Sequence, residues 1–93
     1  MNDIAPPPGG FVGPVKRSVT IAGHSTSISL EPSFWAALEA EAVARELPLN
    51  ALIARIDVAR IAADEPPNLA SAIRSWLFGL HSFPTGGGGS AQR

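Results

Sequence analysis

Ser25, Ser27 and Ser29 place a hydroxyl at every second position of the run His24-Ser25-Thr26-Ser27-Ile28-Ser29-Leu30. Successive strand side chains point to opposite faces, so this spacing lines the three hydroxyls along one face. A hydroxyl both donates and accepts a hydrogen bond. A row of them can meet the polar edges of nucleic-acid bases, with weak discrimination at each position. The same row also suits a strand face that is merely solvated. Lys16 and Arg17 lie shortly before the run. They can supply charge to phosphates without reading sequence, or stand as a solvated pair.

Other chemistry is poorly provided for. There are no cysteines, so disulfides and thiolate metal sites are excluded. His24 sits in a turn with no acid beside it and His81 follows the last apolar-periodic segment, so neither has a ligand set. The chain has no Gly-x-Ser-x-Gly element and no Gly-x-x-x-x-Gly-Lys loop. The run Gly86–Gly89 has no strand before it and no helix after it, so it is not a phosphate loop. No enzymatic activity, cofactor or metal is expected.

The hydroxyl row needs an element to present it. Val15–Ile21 reads as a second strand, with Val15, Val19 and Ile21 on one face and Lys16, Ser18 and Thr20 on the other. Glycine at the first position of a two-residue loop suits a type II′ hairpin turn, which would make Gly23-His24 the loop. Ile21 would then face Thr26, Val19 face Ile28, Thr20 face Ser27 and Ser18 face Ser29. Apolar and polar residues separate cleanly in this register. Arg17 breaks it, falling on the apolar side opposite Leu30. The competing arrangement leaves Val15–Ile21 as an irregular arm.

Three helices follow. The first is predicted from about Pro32 to Glu46, with a stripe of Phe34, Trp35, Leu38, Ala42 and Val43. The second is predicted from about Pro48, in the first helical position, to Ala63, with Leu49, Leu52, Ile53, Ile56 and Ala59 inward. Asn68 suits the N-cap of a third helix carrying Leu69, Ile73, Trp76, Leu77 and Leu80. Trp35 and Trp76 read as packing residues through their spacing with Leu38 and Leu77.

The 93 residues suffice for one domain, predicted over residues 15–82. Residues 1–14 hold four of the nine prolines and residues 83–93 include Gly86–Gly89, so both ends read as flexible tails. A core this small is marginal alone. A homodimer is therefore expected, with Ser25–Leu30 antiparallel to its symmetry mate. Ile28, Leu30, Trp35, Leu38, Leu52, Ile53 and Ile56 are its expected core. No apolar run approaches a membrane span and the N-terminus is no secretory signal, which points to the cytoplasm. The net charge of −1 counts against a strongly basic nucleic-acid binder.

Lys16 to Leu80 resembles a bacterial ribbon-helix-helix family. The matching pieces are Lys16-Arg17-Ser18-Val19, Gly23-His24, Thr26-Ser27-Ile28-Ser29-Leu30-Glu31, Phe34-Trp35, Leu49-Asn50-Ala51-Leu52 and Asn68-Leu69. The resemblance implies a mainly α fold with a short β-ribbon, an intertwined dimer locked by two helices per subunit. An N-terminal strand and a third C-terminal helix would be additions. It implies a transcription regulator whose ribbon enters the DNA major groove. Ser25, Ser27 and Ser29 would then meet base edges, and the amides around Leu49, Asn50 and Ala51 would grip phosphate. The chain departs from the family pattern at Ser25, where Arg is frequent, and at Glu46 and Pro48, where a Gly and a hydroxyl cap are usual. A protein-interaction module on the same scaffold, adaptor or antitoxin-like, is the alternative.

Overall fold

The computed structural model describes residues 3–82; the Gly-rich tail read at 83–93 lies outside them. Two strands, β1 (Val15–Ile21) and β2 (His24–Leu30), precede three helices, α1 (Pro32–Ala44), α2 (Leu49–Ile61) and α3 (Leu69–Ser82). The strands pair antiparallel as a two-stranded sheet within one chain. Residues 3–14 form no helix or strand.

The hairpin forms, but two residues away from the expected register. Ile21 pairs with His24, Val19 with Thr26, Arg17 with Ile28 and Val15 with Leu30. The loop is Ala22-Gly23, not Gly23-His24. Both loop residues have positive φ, 52° and 82°. That is the signature of a type I′ turn, whose twist matches the strands it joins. The register gives both strands seven paired residues. The slip is even, so each side chain keeps the face that the alternation assigned to it.

Pro32 starts α1 with its fixed φ, and the Glu31 carbonyl takes the Phe34 and Trp35 amides at 2.9 and 3.1 Å. The helix stops at Ala44, two residues before the expected end. Glu46 there adopts φ 56°. The Glu46 amide bonds the Val43 carbonyl at 3.0 Å and the Leu47 amide bonds the Ala42 carbonyl at 2.9 Å. This pair of bonds is the Schellman ending that Gly usually supplies. Val43, expected in the core stripe, is 77% exposed because it lies about 100° around the helix from the buried Ala42, at the edge of the stripe. Ala59 of α2 is likewise exposed. Pro48 is the N-cap of α2 rather than its first residue. The Asn68 side chain accepts the Ser71 amide at 2.8 Å and caps α3 as expected.

The inner face of the sheet packs on all three helices. Val19, Ile28 and Leu30 meet Trp35 and Leu38 of α1, Leu52, Ile53 and Ile56 of α2, and Ile73 and Leu77 of α3 in one buried cluster. The seven residues expected at a dimer core are all buried within the single chain. α3 completes that core by supplying Ile73 and Leu77.

Candidate nucleic-acid interface

The outer face of the hairpin is polar along its whole length. Across the ladder Lys16 pairs with Ser29, Ser18 with Ser27 and Thr20 with Ser25. All six residues are exposed. The alternation that buries Val19, Ile28 and Leu30 forces their neighbours outward. Ser18 and Thr20 share this face, where the alternation in β1 placed them, although only the β2 serines were singled out as contacts. The signal for them was the same two-residue period in β1. The result is two adjacent rows of short hydroxyls, with one ammonium at the open end. Short side chains let the backbone approach a partner surface closely.

Lys16 and Arg17 part company. Lys16 stands on the outer face, whereas Arg17 turns inward beside Trp35. Its guanidinium lies 4.4 Å from the Trp35 ring centroid and 3.0 Å from Glu39. Arg17 therefore stays on the apolar side, where the alternation placed it, and does not join the row with Ser25, Ser27 and Ser29. Three further arginines are paired: Arg45 with Glu41, Arg60 with Asp57 and Arg74 with Glu31. Arg60 also donates to the Pro67 carbonyl at 3.0 Å, which holds the α2–α3 connection. The outer face thus keeps Lys16 as its cation.

Asn50 lies in the first turn of α2, beside β1. Its side-chain oxygen accepts the Thr20 amide at 3.4 Å. That bond ties the start of α2 to the strand edge and brings the helix amides close to the hydroxyl rows. Ala51 and Leu52 donate to the Pro48 carbonyl, and no side chain caps the helix. These bonds take the Ala51 amide, one of those expected to grip phosphate, and leave the Leu49 and Asn50 amides at the positive end of the helix dipole.

Arg74 sets the geometry at the other end of β2. Its guanidinium bonds Glu31 at 3.0 Å and the Ser29 carbonyl at 3.4 Å, and lies 5.8 Å from the Phe34 ring centroid. Glu31's own backbone hydrogen bond, then Arg74, hold its carboxyl below the usual carboxylate range. The contact joins α3 to the junction of β2 and α1. No local pattern points to it, since the partners lie 43 residues apart.

Among the described residues no cluster of His, Asp and Glu could hold a metal ion, and no helix is long and apolar enough to cross a membrane. Residues 14–80 match the ribbon-helix-helix domain family. The chain belongs to that family. Searches of the curated proteins and of the solved structures give no significant match. Ribbon-helix-helix domains are in general DNA-binding regulators that act as homodimers.

Proposed function

We propose that this ribbon-helix-helix protein is a dimeric, non-enzymatic DNA-binding regulator that lays its hairpin in the major groove. The observation that carries the reading is the outer face of Lys16, Ser18, Thr20, Ser25, Ser27 and Ser29, exposed and free of apolar side chains. A two-stranded ribbon is an element that the major groove admits. Hydroxyls at its centre can donate to or accept from base edges. Lys16 and the first amides of α2 flank them with positive charge suited to phosphate.

The dimer is part of the reading. α2 is apolar on more than the side that packs inward. Ala54, Val58 and Ile61 recur at four- and three-residue steps away from Leu52 and Ile53, with Val58 66% and Ile61 58% exposed. A second apolar stripe on the side of a helix turned away from its core is normally covered by another surface. β2 also pairs with β1 on one side only. A second copy along these surfaces would set two hydroxyl faces side by side, matching a two-fold site.

Titration of labelled genomic fragments at two salt concentrations tests this. Two Lys16 side chains per dimer predict a shallow log–log salt slope of about −2. A preferred site with that slope supports the reading. Binding with no preferred site, or none at low salt, removes it. Sedimentation at micromolar concentration tests the dimer, and a folded monomer there removes that part.

A further inference from the structure

The α1–α2 turn, α2 and α3 converge on a cleft that the DNA reading does not use. Its floor is Leu47, Leu52, Ile56 and the half-buried Trp76, and its rim carries Arg45 and Arg55. The cavity measures about 150 Å³, and no strand residue and no acidic residue lines it. A dry cavity of roughly that size holds a benzene-sized group. The cleft therefore fits one bulky apolar side chain and has cations placed for acidic neighbours.

The two arginines differ in state. Arg45 lies 5.0 Å from the Trp76 ring centroid and is held by Glu41 at 3.0 Å. Arg55 is exposed and has no ion-pair or hydrogen-bond partner among the described residues. Four other arginines of this chain pair with a carboxylate. One cation left unpaired beside an apolar cleft is what an acidic partner complements. The αL ending at Glu46 shapes the site, because it turns Leu47 back into the cleft beneath α2.

We infer that this cleft docks a peptide segment of a partner protein, one apolar anchor residue flanked by Asp or Glu. The anchor fills the floor against Trp76, and an acidic neighbour pairs with Arg55. The site lies among the helices, so the outer sheet face stays open while the peptide is bound. A DNA-bound domain could in this way recruit a second protein, but the docking stands whether or not the hairpin reads DNA.

The test uses the full chain and a synthetic probe, acetyl-Glu-Glu-Leu-Phe-Glu-Glu-amide. Its control is the same peptide with each Glu replaced by Lys. The readout is the indole N–H resonance of Trp76, told apart from that of Trp35 by a Trp76→Phe variant. The acidic peptide should shift that resonance saturably at up to about millimolar concentration, while the lysine peptide leaves it in place. Arg55→Ala should weaken the acidic peptide about two- to fivefold, as expected for a solvent-exposed ion pair. Arg55 is exposed, so that variant keeps the fold, checked by circular dichroism. No shift with the acidic peptide overturns the inference, as do equal shifts with both peptides or unchanged affinity in Arg55→Ala. Benzoate shifting Trp76 as strongly as the peptide assigns the cleft to small carboxylates instead. Self-association lost on Arg55→Glu, with no peptide binding to the wild type, assigns it to a second copy.

Discussion

Arg17 stacks on Trp35, with its guanidinium 4.4 Å from the ring centroid, and the Trp35 indole N–H donates to the Val15 carbonyl at 2.9 Å. One aromatic residue of α1 thus grips β1 twice, through a side chain and through the backbone. This explains why an arginine sits on the apolar face of the hairpin. Its guanidinium lies over the ring face while still reaching solvent and Glu39.

The two neighbouring cations should therefore separate in a binding assay. Lys16→Ala should weaken binding to all DNA sequences and flatten the salt dependence. Arg17→Ala should leave the salt slope unchanged and instead lower the melting temperature, by the loss of a contact of about 0.5–1 kcal/mol. Equal loss of DNA affinity in both variants would place Arg17 on the DNA.

The turn carries strain that a substitution can relieve. Ala22 holds φ 52° where only Gly, Asn and Asp are comfortable. Ala22→Asn should stabilise the domain by about 1 kcal/mol, equivalent to roughly 4–8 °C for a chain this small. Glu46→Gly should act in the same direction at the end of α1. A melting temperature that falls on Ala22→Asn would contradict the type I′ turn.

These two residues show why the register was not legible when the faces were. Alternation assigns each strand residue to a face, and an even slip leaves that assignment intact. Only the turn fixes the register, and Ala22 gives no sign of a left-handed conformation. Sequence reasoning accordingly favoured the glycine-first turn. The same blindness hid Glu46, where the expected Gly is missing and the backbone adopts the conformation regardless. The Asn68 cap was legible because its bond is local, three residues long. The Glu31–Arg74 pair and the seating of Arg17 on Trp35 and Glu39 were not, since both depend on elements brought together by the fold. Trp35 and Leu38 were legible as core through helical spacing, but not the supply of their partners by β1 and α3 of the same chain.

Leu38 is fully buried among those elements. Leu38→Ala should cost about 2–5 kcal/mol, the usual range for a buried leucine cut to alanine. Thermal unfolding of the two proteins at equal concentration measures it. An unchanged melting temperature would move Leu38 to the surface.

Glu31 and Arg74 predict an acid sensitivity with a defined sign. The folded carboxyl titrates below its unfolded value, so its contribution is present above the unfolded value of about 4.3 and is lost as pH falls through the folded value. Stability of the wild type should decline as the solution is taken below that range. Glu31→Gln should start lower and show a shallower decline, as should Arg74→Ala. Parallel pH profiles for wild type and both variants would show that the pair does not contribute.

The centre of the hydroxyl rows gives the sharpest functional test. Ser27 lies opposite Ser18, midway along the seven-residue strand, where a ribbon approaches the groove floor most closely. Removing its hydroxyl should reduce the preference for one site by a few-fold and leave non-specific binding intact, because a single hydroxyl discriminates weakly. Ser25→Arg should act oppositely. Ser25 is exposed beside Thr20 near the turn, so a longer side chain meets no packed neighbour. A guanidinium there can reach two acceptors of one guanine, a contact worth about 1–3 kcal/mol. Its charge alone should steepen the salt slope by about two per dimer. Titration of labelled DNA against wild type, Ser27→Ala and Ser25→Arg at two salt concentrations separates the two effects. If Ser25→Arg steepens the slope without improving any site, the outer face meets phosphates but not bases. If it changes neither, the hairpin face does not meet DNA.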